Sequence, residues 1–403
     1  MTEIEFSAIV ELPEEIQALK ELLNQFQERY GTSVKLRLLN WENAWSELLS
    51  YALYGKEPDV SHIGSTWCSS LVEMNALRVL RSMEVAQLGN RDAFLRPAWL
   101  SAMVEGDARI WSIPWTGYTN VLAYRLDLFM NAGLSDSSQL ENYEGMSLAI
   151  QQLKKSGVNL PFVLPTTGNV DLLHAAASWV WEAGGDFIDP INKKVLFTES
   201  PCVNGLRNFF ELFRLLPSPV PVYTVTQCAD LLASGSAAIS LVNTKSLLGI
   251  LRQNLVDEVT KNIGAAAISQ TPWFGGGNLV IWKHTQYSVE KEHAAFNLVR
   301  FLTSLASQEE FTKKADELPV TADAFQRVFP NSHPLSPALQ RAILHGKPYR
   351  ATQLWGRVER LLGQVLENVA SEVRDDPNRD LEAVLSRYLD PLARRLEMTL
   401  ATS

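Results

Sequence analysis

IWSIPWTGYTNVLAYRLDLFMNAGL, residues 110–134, is the stretch that decides how the rest of the chain is read. Pro114 and Gly117 interrupt an otherwise strand-like run. Proline fixes one backbone dihedral and glycine frees two, which suits a passage from one lobe to another. Beyond them, Val121–Tyr124 predicts a strand and Leu126–Ala132 a helix ended by Gly133. A second interruption, PWFGGGNLVIW at 272–282, precedes a strand at Leu279–Trp282. Two such interruptions in one α/β chain suggest two lobes joined by more than one crossing, a layout often used for hinge closure around a ligand. Two ordinary surface loops would leave the same pattern.

The flanking sequence supplies the α/β class. Ile4–Val10 predicts a strand, and Pro13–Tyr30 a helix with Ile16, Leu19, Leu22, Leu23 and Phe26 at helical spacing. Gly31 ends that helix. A strand at Val34–Leu39, a helix at Trp45–Leu53, a strand at Pro58–Ile63 and a helix at Ser69–Leu77 follow. The alternation continues through helices at 147–157, 171–183 and 203–216 and strands at 161–164 and Ala237–Val242. A long helix is expected at Glu290–Leu305, and mostly helix from Ser336 onward. Alternating β and α elements predict a mostly parallel sheet with helices on both faces. Ligands bind at the carboxyl ends of such strands, which singles out the loops Trp41–Asn43 and Gly64–Trp67.

The chain has 403 residues, enough for two or three units of ordinary size. It is 46% hydrophobic and 20% charged, as a folded globular protein is. Its net charge of -9, with no basic block, argues against a nucleic-acid partner. Cys68, Cys202 and Cys228 form no C-x-x-C pair, and the six histidines no H-E-x-x-H pair, so neither a metal nor another cofactor is expected. No apolar run reaches the roughly 20 residues that span a bilayer.

Several segments, in order, resemble one family. FQERYGTSVKLR (Phe26–Arg37), PDVSHIGSTW (Pro58–Trp67), the opening stretch, ASWVWEAGGDF (Ala177–Phe187) and LLASGSAAIS (Leu231–Ser240) make up the first part. WFGGGNLVIW (Trp273–Trp282), FNLVRFLTSLASQEEF (Phe296–Phe311), KADELPVTADAF (Lys314–Phe325) and KPYRATQLW (Lys347–Trp355) complete it. The chain resembles the extracellular solute-binding proteins of sugar ABC importers, the maltose-binding-protein-like group. That resemblance implies a periplasmic-binding-protein-like fold of type II, α/β, with two discontinuous lobes and a central ligand cleft. One lobe would hold 1–113 and 277–320, and the other 117–272 and 328–403, with hinges near 113–117, 272–276 and 318–330. It implies a monomer that captures a sugar by hinge closure and presents it to the transmembrane permease of a bacterial importer. The start of the chain, Met1–Val10, lacks the basic and apolar parts of a secretion signal. The expected location is the periplasm or the outer face of the cell membrane with the signal removed, or else the cytoplasm.

A sugar presents hydroxyls at its edge and C–H groups on its faces, so its site needs planar polar groups and aromatic plates. Trp41, Glu42 and Asn43 follow the second strand; Ser65, Thr66 and Trp67 follow the third. Trp115, Tyr118 and Asn120 lie on the first crossing; Trp273, Phe274, Gly275, Gly276 and Asn278 lie on the second. Asp171 and His174 open a helix, and Asn243 and Lys245 follow a buried strand. Tyr349, Arg350 and Trp355 lie where the resemblance implies a stacking aromatic of the C-terminal lobe. These are the candidate ligand groups. Trp45, Trp99, Trp111 and Trp282 read as core, Glu42 and Asp171 double as helix caps, and the triple glycine lacks dinucleotide spacing. No catalytic motif is present, so an enzyme is not expected. A glycoside hydrolase using Glu42 and Asp171 is the rival reading, and a cytoplasmic sugar sensor the other.

Overall fold

The computed structural model describes residues 2–134, 137–192, 194–350, 352 and 355–400. Of the run Lys347–Trp355, residues 351, 353 and 354 lie outside the described residues. Among those described, ten strands run in chain order. They are β1 (Thr2–Ile9), β2 (Thr32–Leu39), β3 (Val60–Gly64), β4 (Ser112–Arg125), β5 (Leu160–Val163), β6 (Ile188–Asp189), β7 (Lys194–Val195), β8 (Ala237–Asn243), β9 (Ile263–Ala267) and β10 (Phe274–Ile281). The fold is mixed α/β, and the chain divides into two compact units. The first comprises Met1–Tyr118, Phe274–Pro330 and Pro348–Gly356; the second comprises Thr119–Trp273, Asn331–Lys347 and Arg357–Ser403. Residues 348–356, expected with the C-terminal lobe, are thus grouped with the first unit.

In the first unit the order is β2-β1-β3-β10. β1 is parallel to β2, from Thr2↔Thr32 to Ile9↔Leu39, and parallel to β3. β10 runs antiparallel to β3, with Gly277 opposite Gly64. Central β1 is buried on both faces from Phe6 onward, as a strand covered by helices must be. Edge strand β2 carries Lys35 and Arg37, which both pair with Glu5 and leave charge along the open edge. The helix Pro13–Tyr30 buries Ala18, Leu19, Leu22, Leu23 and Phe26 and ends at Gly31 with φ 64°, a left-handed cap that glycine adopts without strain.

The expected breaks around Pro114 and within the glycine triplet are absent. Ser112–Arg125 is one strand of 14 residues, and the chain leaves the first unit inside it, between Tyr118 and Thr119. β10 runs straight through Gly275, Gly276 and Gly277. These glycines serve close approach rather than turning. A Cβ on Gly277 would lie 1.8 Å from His62 Nε2, and one on Gly117 would lie 2.7 Å from Phe274 Cζ.

In the second unit β4 pairs antiparallel with β8, Asn120 opposite Asn243, and on its other side with β9. β5 pairs parallel with β8. The run Ala237–Val242 is buried throughout, as its small apolar residues predict. Helices Tyr143–Lys155, Asn169–Glu182, Ser200–Glu211 and Leu381–Leu400 belong to this unit, as does Trp355–Asp375 from Arg357 onward. Asn142 caps the first of these by accepting from Gly145 N at 2.8 Å.

Candidate functional site

In the first unit, the loops after β1, β2 and β3 meet at the carboxyl ends of the parallel strands. Glu11, after β1, accepts the Trp41 N–H at 2.8 Å through its side chain. Trp41, after β2, meets Trp67, after β3, with ring centroids 5.6 Å apart at 66°. Trp67 also lies 5.5 Å from Trp45 and sits on Ile9, Leu39 and Ala44. Gly64 leaves room for this cluster, since a Cβ there would stand 3.0 Å from the Trp67 ring. Trp67 is half-buried, whereas Trp41 is 42% exposed. Glu42 and Asn43 are exposed beside it, and Ser65 and Thr66 are half-buried. The group is therefore an aromatic ledge with acidic and amide groups at its rim. Asn43 stands at the N-cap of helix Ala44–Tyr54, without a side-chain cap bond.

His62 underlies the ledge. Its Nδ1 accepts the Ile9 N–H at 3.3 Å, and its ring meets Trp41 at 6.2 Å and Trp115 at 4.8 Å, edge to face both times. Trp115 lies inside the core at 1% exposure, stacked on Phe311 at 5.0 Å. Gln308 fixes the strand there by donating to Trp115 O at 2.9 Å and accepting from Val320 N at 2.8 Å. Phe274, Gly275 and Asn278 are buried too, and the Asn278 amide donates to Ser101 O. Tyr118 is half-buried. Tyr349 and Trp355 are buried in the first unit, stacked at 4.3 Å, while exposed Arg350 pairs with Glu105.

In the second unit Trp273 is buried and stacks on His174 with centroids 4.1 Å apart and planes 14° from parallel. His174 Nε2 lies 3.4 Å from Glu359 Oε1. Asp171, one turn before His174, is exposed and makes no cap bond; Gly168, at φ 117°, stands at the N-cap instead. Although Asp171 keeps solvent access along its side chain, the protein packed around its carboxyl desolvates that group and raises its pKa, and His174 partly opposes the shift. The donors at this helix start are taken by Glu367, which accepts from Thr167 Oγ1 at 2.8 Å and Gly168 N at 2.7 Å. An acid at a helix N-terminus complements the exposed N–H groups. Asn243 caps helix Thr244–Gln253 through Ser246 N, and Asn120 and Lys245 are half-buried.

Glu11, His62, Glu359 and Glu367 were not singled out from the sequence. Glu359, Gly363 and Glu367 recur at four-residue spacing on one helix, and that stripe was the available signal. Gly363 packs closely against the Asn169 backbone between the two acids' contacts.

Among solved structures, the sugar-binding protein MalE of Xanthomonas citri matches with a TM-score of 0.81 and 19% identity, covering 100% of this chain and 98% of that one. An ABC transporter solute-binding protein of Thermotoga lettingae, solved with α-D-tagatose, matches at 0.79 and 16%, covering 99% and 100%. UgpB of Mycobacterium tuberculosis, solved with glycerophosphocholine, matches at 0.75 and 19%, covering 100% and 99%. At these identities the likeness shows the periplasmic-binding-protein-like fold. No curated protein sequence matches significantly. Residues 21–338, well over half the chain, match the bacterial extracellular solute-binding family, and the chain belongs to that family.

Proposed function

We propose that this protein is the substrate-binding component of an ABC importer, that its solute is a carbohydrate of one to a few rings or a sugar-like polyol, and that it hands this solute to a membrane permease. The observation that carries the reading is the exposed Trp41 on its aromatic base, with Glu11 and Glu42 close in the chain to the same ledge. An aromatic plate covers the C–H face of a sugar, and carboxylates accept paired hydrogen bonds from its hydroxyls. Structural neighbours solved with α-D-tagatose and with maltose support the same solute class. The protein acts as a monomer outside the cytoplasmic membrane and performs no reaction on the solute. Binding shifts the hinge equilibrium near 118–119 and 273–274, and the permease reads the shifted state.

A thermal-shift screen against tagatose, maltose, trehalose, glycerol 3-phosphate and glycerophosphocholine tests this. A solute at about a hundred times its Kd stabilises by about 2.7 kcal/mol, which moves the midpoint by several degrees. Trp41→Ala should weaken carbohydrate binding about tenfold or more, yet leave the unliganded midpoint almost unchanged. A shift with the phosphate compounds and none with any carbohydrate would make the solute class wrong. Turnover of a glycoside would overturn the binding-only reading.

A further inference from the structure

The chain passes between its two units at 118/119, 273/274, 330/331, 347/348 and 356/357. On the side of the second unit, four of these points are joined through one residue. Thr119 Oγ1, at the first, donates to Trp273 O at 2.5 Å. Trp273 itself is the last residue before the second. Lys347 N, at the fourth, donates to Pro272 O at 3.0 Å and forms a bridge beside Trp273. The Trp273 ring stacks on His174, whose Nε2 faces Glu359, three residues past Gly356. Ser178 Oγ accepts the Trp273 N–H at 2.8 Å and anchors the group to helix Asn169–Glu182.

We propose that Trp273 is the hub of a hinge clamp that makes these four crossings loosen together, with Glu359 a positioning residue acting through His174. Thr119, Ser178 and Trp273 are all buried, so their bonds form away from water, where a hydrogen bond resists opening most. Surface loops that merely connected two units would have no reason to converge on one buried residue, two of them through the Trp273 and Pro272 backbone and one through the Trp273 ring. The clamp goes beyond solute capture and does not depend on which solute is taken.

Hydrogen–deuterium exchange on the full, unliganded chain tests it. In His174→Ala, amides in 116–120, 273–276, 345–347 and 357–361 should exchange about tenfold faster together, roughly the equivalent of one aromatic stack and its polar tether. Helices Pro13–Tyr30 and Ser200–Glu211 should keep their protection. His174→Phe keeps the stack and removes the tether, so it should release 357–361 alone. Thr119→Val should release 116–120 alone. Faster exchange confined to helix Asn169–Glu182 in His174→Ala would show local packing and overturn the clamp. Release of every crossing by His174→Phe, or of none, would overturn the part assigned to Glu359. Since no solute is present, failure of the carbohydrate reading leaves this result unaffected.

Discussion

Gly276→Ala should destabilise the first unit far more than its chemistry suggests. Gly276 sits in β10 at φ 151°, a region that side-chain-bearing residues rarely enter. Holding alanine there costs on the order of 1–3 kcal/mol. The new methyl would also stand 2.1 Å from Thr116 O and 3.0 Å from Gly117 Cα. Both are backbone atoms of a neighbouring segment, so no side chain can swing aside. Overpacking of that kind adds about 1–3 kcal/mol. The sum centres on about 4 kcal/mol, a large share of the roughly 5–15 kcal/mol that holds a domain together. At about 2–4 °C per kcal/mol for a unit of this size, the calorimetric midpoint should fall by about 8–16 °C. Gly356→Ala is the matched control: nothing lies within 4 Å of its Cβ position and its φ is ordinary, so the same change should be neutral or stabilise by up to about 1 kcal/mol. A Gly276→Ala protein melting within 2 °C of the parent would refute the steric reasoning.

Asp171→Asn should raise the melting midpoint at neutral pH. Desolvation raises the Asp171 pKa above its ordinary 3.8, so the cost of ionising it in the folded state builds as pH rises past 3.8 and is complete above the folded-state pKa. The advantage of asparagine should therefore shrink as pH falls through that range toward 4, and a gap that grows on acidification would contradict it. Arg78→Met should cost about 3–5 kcal/mol in denaturant titrations, because it takes the guanidinium from buried Glu84 and leaves buried Glu292 to Arg81 alone. Arg78 is 1% exposed and grips Glu84 through bonds of 2.9 and 3.0 Å, so a cost under 1 kcal/mol would mean the network is idle. Burial pushes the Cys68 and Cys228 thiols up to about 12 and that of Cys202 higher still. A thiol reagent at pH 8 should label none of the three in the native protein and all three in denaturant; rapid native labelling would refute this.

Periodicity found most elements, because the helix Pro13–Tyr30 and the strand Ala237–Asn243 each bury what their patterns say they bury. It failed where a residue's local preference was overruled from a distance. Gly275–Gly277 read as a loop, yet Thr116 and His62 demand glycine at positions 276 and 277 inside a strand. The long helix expected at Glu290–Leu305 ends at Leu302, and Ser304 caps a new helix, Leu305–Ala315. Among the site candidates, those on strand-end loops were the most legible: Trp41, Glu42 and Trp67 cluster at the carboxyl edge. The tryptophans on crossings were not, since polar neighbours in sequence say nothing about neighbours in space. Trp115 lies between Pro114 and Thr116, yet its ring lies among Phe6, His62 and Phe311. Asn243 could be read as ligand group or helix cap, and its side-chain oxygen is used as a cap.

The pairing of β3 with β10 has a consequence for synthesis. β3 ends at Gly64 and its antiparallel partner begins at Phe274, about 210 residues later. At roughly 5–20 residues per second, the ribosome needs on the order of 10–40 s to deliver that partner. Throughout that interval the nascent chain carries an unpaired strand edge, the kind that recruits foreign strands. No N-terminal fragment ending before Ile281 can close its own sheet. Vectorial folding is thereby deferred until the chain is more than two-thirds made, and premature termination products of this gene are expected to aggregate.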